Sequence, residues 1–154
     1  MTSSYRLLLL ACTGCVLGGG PVVGYGTKHG VYAGVAGGAG VSVAQATAEL
    51  GGTSRGAIAQ ARLDLQLSKL RFTDWNAEVG RPYPGVHGGI GYGLAEGWGG
   101  LATMVGPDVG VLRDNSYCTG APVIYVGVDW RYLRGESQFV LAPRYEKIWD
   151  ICLP

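Results

Sequence analysis

The sequence predicts an all-β protein, an antiparallel meander of about six to eight strands that forms a small barrel or barrel-like sheet after an N-terminal signal segment. Three observations predict it. Apolar residues alternate with polar residues or glycine over several stretches, and only a strand places residues i and i+2 on one face. Glycine is abundant, at 28 residues, while charged residues make up only 15%, well below the ~25% of ordinary soluble domains. The mean hydropathy is positive without a long apolar helix, which is typical of a β-protein that exposes apolar surface to lipid or buries it in an assembly.

The first fifteen residues have the order of an export signal. Arg6 precedes a short apolar run, residues 7–11, and small residues then lead to Cys15. In such a signal the basic end stays at the cytoplasmic face while the apolar run enters the membrane. The sequence therefore predicts a signal peptide over residues 1–14 and an exported protein.

The end of this segment resembles a bacterial lipobox. Thr13 and Gly14 precede Cys15, as small residues do before a lipidated cysteine, and Cys12 is the alternative. The use of Cys12 would leave an apolar region of about five residues, below the usual ~7–15, so Cys15 is favoured. The resemblance implies cleavage before that cysteine and its acylation. The protein would then be anchored to lipid in the bacterial cell envelope, at the outer membrane.

Residues 15–29 are rich in glycine and show no periodicity, which predicts a flexible tether ahead of a β-barrel-like domain over residues 30–154. A short first strand over residues 22–25 is the alternative. In residues 31–43 the valines keep a two-residue period, which predicts a strand. The rival is a transmembrane helix, because Gly30, Gly34 and Gly38 are spaced four apart. Each interior glycine would cost such a helix about 1 kcal/mol, so the strand is favoured.

Other strands show the alternation more clearly. It is strongest over residues 57–68, where alanine and leucine occupy the odd positions, and it recurs over residues 123–133 and 86–95. Over residues 138–148 it is interrupted by Pro143, which predicts a bulge or an edge strand. A shorter strand over residues 101–105 completes about six, joined by loops at 44–56, 72–85 and 107–122. A sheet of that size leaves open edges, which invite pairing with a partner.

The polar faces of these strands carry three basic and three acidic residues, namely Arg62, Asp64, Asp129, Arg131, Arg144 and Glu146. Each acid has a basic neighbour two positions away on its own face, which favours a neutralised lumen network over paired carboxylates for acid–base chemistry. This pairing resembles the salt-bridged interior of small bacterial outer-membrane barrels. Aromatic residues near predicted strand ends would form the interfacial belt that the resemblance implies: Trp75, Tyr83, Trp98, Trp130, Tyr132, Tyr145 and Trp149.

Two cysteines remain beyond the signal, Cys118 and Cys152. In an exported protein such a pair predicts a disulfide bond. The bond would restrict the unfolded chain by roughly 4 kcal/mol on the entropic model. Two free thiols are the alternative. A zinc site is disfavoured because no CxxC or HxxxH spacing accompanies the cysteines.

Motifs for chemistry are missing from the sequence. No nucleophile elbow, phosphate-binding loop or metal-ligand spacing is present, which predicts a protein without enzymatic activity, metal or cofactor. His87 lies on a face of small residues, where a structural role is favoured over a catalytic one. Twelve basic and eleven acidic residues nearly cancel, so the sequence indicates no nucleic-acid partner.

Together these features predict a lipid-anchored outer-membrane or envelope β-protein with a structural or interaction role. It would be a subunit of an envelope complex for secretion, motility or surface assembly. Its partners would be membrane lipid, through the acylated cysteine, and other envelope proteins or further copies of itself. One alternative is a soluble, lipid-tethered β-barrel that binds an apolar ligand or inhibits a hydrolase. Another is a lipid-acting barrel enzyme that uses His87.

Overall fold

The computed structural model describes residues 15–41, 43–72, 77–95, 97–133 and 135–149. These residues form eight antiparallel strands that follow one another in chain order and close into a barrel, which confirms the predicted fold class. A 3-10 helix (Leu67–Arg71) lies between the fourth and fifth strands. The strands are β1 (Cys15–Gly26), β2 (Gly30–Val41), β3 (Ala44–Thr53), β4 (Gly56–Gln66), β5 (Pro82–Ala95), β6 (Trp98–Leu112), β7 (Ala121–Leu133) and β8 (Glu136–Trp149).

Burial alternates along the strands as the sequence pattern requires. In β4 and β7 every second residue is buried and points into the barrel, while the residues between are mostly exposed on its outer wall. The segment 31–43 is a strand as predicted, since β2 covers most of it. Among the described residues, no helix reaches the length and hydropathy needed to cross a membrane.

The predicted tether over residues 15–29 is wrong, because most of it is β1. This strand pairs with β2 on one side and with β8 on the other, and so closes the barrel. Its glycines serve close approach between strands. A Cβ on Gly20 would lie 2.0 Å from the carbonyl oxygen of Pro143. Glycine in this segment therefore reflects crowding against a neighbouring strand, whereas the sequence reading took it for flexibility.

The predicted loop over residues 44–56 is also wrong, because residues 44–53 form β3. Its outward residues are mostly alanine and its inward ones Gln45, Thr47 and Glu49, so the alternation is present at low contrast. The strand predicted over 101–105 is longer at both ends, and the 107–122 loop shrinks to 113–120. The described strands therefore number eight, and the open sheet edges predicted for six do not exist in the closed barrel.

The two ends of the barrel differ. The turn end holds the tight connections at residues 27–29, 54–55, 96–97 and 134–135. The loop end holds the short connection at 42–43 and the longer ones at 67–81 and 113–120. Cys15 and Trp149, the first and last described residues, are paired neighbours at the loop end. Both ends of the described chain therefore meet where the long connections lie.

Prolines interrupt the wall at two places. Between β1 and β8 the pairing stops at Gly19 opposite Tyr145 and resumes at Val23 opposite Leu141 in the same register. Pro21 and Pro143 lie in this gap, and neither has an N–H to donate to the ladder. A similar gap in the β6–β7 ladder contains Pro107. Pro143 thus marks neither a bulge nor an edge strand, because the register continues and β8 pairs on both sides.

Candidate functional site

The outer wall of the barrel is apolar on every strand. Large hydrophobic side chains point outward all round it, with exposed fractions that reach 71% at Val31 and 68% at Leu63. Among the described strand residues, the outward positions hold one charged residue, Lys147, close to the loop end. The other outward positions are taken by glycine, alanine, proline, aliphatic and aromatic residues, with Cys15, Thr103 and Ser137 as the polar exceptions.

Outward aromatic residues concentrate near the turn end, at Tyr25, Tyr92, Trp130, Tyr132 and Phe139. Tyr145 and Trp149 lie nearer the loop end on β8. Tyr83, predicted for the same belt, points inward instead and packs edge-on against Phe72 with ring centroids 5.2 Å apart. Trp75 lies outside the described residues.

The lumen contains the charges that the outer wall lacks. The structure places the six predicted network residues, Arg62, Asp64, Asp129, Arg131, Arg144 and Glu146, inside the barrel, each at most 9% exposed. On β4, Arg62 Nε lies 3.3 Å from Asp64 Oδ1, and on β7, Arg131 Nη2 lies 2.8 Å from Asp129 Oδ2. The pairing between neighbours two positions apart thus occurs on both strands.

On β8 the two predicted neighbours, Arg144 and Glu146, pair with other residues and not with each other. Arg144 Nη1 lies 4.0 Å from Asp64 Oδ2, and Glu146 Oε2 lies 2.8 Å from Lys69 Nζ. Lys69 reaches the lumen from the 3-10 helix and also donates to Gln45 Oε1 at 2.9 Å. Sequence reasoning missed Lys69 because no strand periodicity covers the segment from which it enters.

Glu49 of β3 is the second residue that sequence reasoning missed. Its carboxylate accepts hydrogen bonds from Arg131 at 2.5 Å, from Arg62 at 3.2 Å and from the Tyr32 hydroxyl at 2.7 Å. The alternation of Gln45, Thr47 and Glu49 with alanine was the available signal. It was hidden because the alanine side chain is a single methyl group and marks an apolar face only weakly.

His87 lies between two carboxylates inside the barrel. Its Nε2 is 2.5 Å from Asp129 Oδ1, and its Nδ1 is 3.8 Å from Asp108 Oδ2. Asp108 Oδ2 also accepts hydrogen bonds from Gln66 at 2.7 Å and Ser68 at 2.9 Å. Because the Ser68 hydroxyl is bonded to Asp108, the described lumen contains no serine–histidine pair of the kind that nucleophilic catalysis needs.

The described part of the lumen is packed with side chains. The charged layer lies between two apolar clusters, one including Val22, Tyr32 and Leu133 and the other including Phe72, Leu112 and Tyr125. A cavity of about 10 Å³ lies beside His87. An eight-stranded barrel is just wide enough for side chains to fill, and the described interior is a packed core of this kind.

A separate polar contact joins two turns at the turn end. Glu136 Oε1 accepts hydrogen bonds from the backbone N–H groups of Lys28 and His29, each at 2.9 Å, and Oε2 contacts the His29 imidazole. We call this contact the turn-end clasp.

Among the described residues, no group of three or more His, Cys, Asp or Glu could hold a metal ion.

The structure locates two of the four predicted cysteine positions. Cys15 is exposed at the start of β1, at the loop end. Cys118 lies in the 113–120 connection at the same end. Cys12 and Cys152 lie outside the described residues, so lipidation and the disulfide bond both stay predictions.

Comparison with known proteins adds no relatives. No family model matches the chain, and neither does any curated protein or solved structure. The closed barrel and the opposite chemistry of its two faces are therefore the basis for a functional proposal.

Proposed function

We propose that the chain is a lipid-anchored outer-membrane β-barrel of the bacterial envelope, with a structural or interaction role as a subunit of an envelope complex. The observation that carries the proposal is the inversion of polarity across the wall. Charged side chains lie inside the barrel and apolar ones cover its outside on all eight strands. A soluble barrel has the reverse arrangement, because water then solvates the charged face.

The extent of the apolar wall supports insertion into a bilayer. Contiguous exposed apolar patches above a few hundred Å² are rare on soluble monomers. The strands are 10 to 15 residues long, and spanning a bilayer at a barrel tilt takes about 9–11. The aromatic residues near the turn end suit a membrane interface, where a ring contacts hydrocarbon on one side and headgroups and water on the other.

The filled lumen supports a structural role. In the described lumen a charged layer lies between two apolar clusters, which argues against a path for ions or solutes. The same interior disfavours the alternative of a soluble carrier for an apolar ligand, because a carrier needs an apolar cavity of hundreds of Å³. The His87 arrangement likewise offers no nucleophile for a lipid-acting enzyme.

The position of Cys15 restricts how a lipid anchor can act. Since β1 begins at Cys15, acyl chains on this residue would enter the bilayer beside the barrel wall, with no tether between them. The acyl chains would enter the leaflet that surrounds the loop end of the barrel. Contacts with a partner protein would then come from the loop-end connections at 67–81 and 113–120, because the closed wall offers no strand edge.

Solubility tests the membrane proposal. A variant without residues 1–14 and with Cys15→Ser removes both export signal and lipid anchor. We expect it to fold only with detergent or lipid vesicles, and the exported full chain with Cys15→Ser to stay in the membrane fraction after alkaline extraction. A folded, monodisperse protein in plain buffer would overturn the proposal.

Site-specific crosslinking tests the partner proposal. A photo-crosslinking residue at Arg113, in the loop-end connection, should capture a defined envelope protein in intact cells. The matched control is the same residue at Arg55, which lies in a tight connection at the turn end. Equal capture from both positions, or none from Arg113, would contradict a loop-end interface.

A further inference from the structure

The buried charges that the structure describes in the lumen do not balance. Leaving aside the turn-end clasp, the described interior holds five carboxylates, Glu49, Asp64, Asp108, Asp129 and Glu146, each at most 3% exposed. It holds four arginine or lysine side chains, Arg62, Lys69, Arg131 and Arg144, each at most 9% exposed. With neutral His87 these described residues would carry one uncompensated negative charge. A buried charge without a partner is strongly unfavourable.

The excess charge can be assigned to one residue. Glu49, Asp64, Asp129 and Glu146 each lie within 4.0 Å of an arginine or lysine nitrogen. Asp108 has no arginine or lysine partner among the described residues, and the basic atom recorded near it is His87 Nδ1 at 3.8 Å. Its hydrogen bonds come from two neutral groups, Gln66 and Ser68.

The surroundings of His87 show where a compensating charge would lie. The cavity of about 10 Å³ is lined by His87, Asp108, Gln66 and Tyr125, together with Gly127, Ala142 and Arg144. Four buried polar atoms of these residues lack a hydrogen-bond partner: His87 Nδ1, Asp108 Oδ1, Gln66 Oε1 and Tyr125 Oη. The space suits one water molecule. An N–H on His87 Nδ1 would serve these acceptors directly or through such a water.

We propose that the His87–Asp108 pair binds one proton, so that His87 is an imidazolium held between Asp108 and Asp129. The proton is taken up from the bulk solvent and adds to Nδ1 of the imidazole, and both carboxylates stay ionised. His87 then supplies a fifth positive charge, which balances the five carboxylates of the described lumen. The other charged groups facing it are Arg131, already bonded to Asp129, and Arg144, which lies 4.0 Å from Asp64. This inference rests on the barrel interior and is independent of the proposed membrane role.

Nitrogen NMR of the imidazole tests the proposal. The chain has two histidines, so His29→Gln leaves His87 as its single imidazole. In the folded barrel at about pH 7, where an ordinary imidazole is largely neutral, we expect both ring nitrogens to carry protons. A neutral ring with one N–H in this protein would overturn the proposal.

Asp108→Asn tests whether Asp108 is the carboxylate that stabilises the proton on His87. This change keeps the shape of the side chain and removes the excess negative charge, so one of the two N–H signals should disappear at the same pH. Asp114→Asn, in the exposed loop-end connection, is the matched control and should leave both signals in place. Two N–H signals in folded Asp108→Asn would contradict the assignment to Asp108.

A metal cation in the cavity is the competing way to balance the charge. It would leave His87 neutral, with ring signals that depend on the NaCl concentration. Protonated ring signals that stay constant from low salt to high salt support the proton. This comparison uses the His29→Gln protein alone, so it gives an answer even if Asp108→Asn does not fold.

Discussion

Arg131 of β7 donates a hydrogen bond to Glu49 of β3 across the lumen, with Nη1 2.5 Å from Oε1. The two strands are four positions apart in a ring of eight, so the contact spans the barrel between opposite walls. Glu49 also accepts from Arg62 of the adjacent β4 and from Tyr32 of β2. One carboxylate thus joins four strands at the centre of the charged layer.

Loss of this carboxylate should be costly. Glu49→Gln would leave the buried guanidinium groups of Arg62 and Arg131 without their shared counter-charge, and breaking one side of a buried ion pair typically costs about 3–5 kcal/mol. Urea unfolding in detergent or vesicles should show a loss of that order. Glu78→Gln is the control, because Glu78 and Arg81 form an exposed pair and such pairs contribute about 0–1 kcal/mol. Equal stability of the two variants would show that the Glu49 carboxylate does not stabilise the barrel.

A charge on the outer wall should be tolerated only near its ends. Val126 lies midway along β7, whereas Val31 is the second residue of β2, beside a tight turn. In a bilayer, Val126→Arg should destabilise the barrel by about 2–4 kcal/mol and Val31→Arg by about 0–1. Folding titrations in lipid vesicles measure both. Two equal, small effects would argue against a membrane-embedded wall.

Mass spectrometry of the mature protein should find an acylated cysteine at its N-terminus, at Cys15 or failing that Cys12. The structure sharpens this prediction, because any cleavage beyond Cys15 shortens β1. A mature N-terminus after Gly26 would remove the lipoprotein assignment. It would also remove the strand that closes the barrel.

The predicted bond between Cys118 and Cys152 would connect the 113–120 connection to the chain after β8. Such a restraint is worth a few kcal/mol, comparable with the net stability of a domain. Cys118→Ser should therefore lower the amount of protein in the envelope, and the double variant should be no worse than either single one. Non-reducing gels after alkylation check the premise. Two freely labelled thiols in the folded protein would mean that the bond does not form.

The turn-end clasp should stabilise the barrel. Glu136 accepts hydrogen bonds from the backbone N–H groups of Lys28 and His29, and hydrogen bonds to a charged group contribute about 1.5–3 kcal/mol. Glu136→Ala leaves both N–H groups without this acceptor and should lower the free energy of unfolding by that order. Urea unfolding in detergent or vesicles measures it, with Glu78→Ala in an exposed ion pair as the control. Equal stability of the two variants would show that the clasp does not stabilise the barrel.

The sequence predicted most of the wall and most of the charged residues in the described lumen, but not Glu49, Lys69 and Asp108. Alternation was obvious in β4 and β7 because leucine, isoleucine and tryptophan contrast with arginine and aspartate. In β3 the same alternation pairs alanine with glutamine, threonine and glutamate, a contrast too small to separate a strand from a loop. In β1, Gly20 lies against Pro143, which is far away in the chain, and no local pattern reveals that contact. Glu49 and Asp108 were missed because they belong to segments predicted as loops, and Lys69 because it lies beyond the predicted strand, in a 3-10 helix that no strand period covers.

The proline gap between β1 and β8 has a consequence for folding. The join between the first and last described strands consists of two short ladders, one from Cys15 to Gly19 and the other from Val23 to Gly26. These pairings have the longest sequence separation in the barrel, so they carry the largest loop-closure entropy and belong to the late steps of assembly. Pro21 lies opposite Pro143 between them, so the hydrogen-bonded ladder is not continuous along this join. We therefore expect the two ladders to form in separate steps, and either ladder to open while the other stays paired.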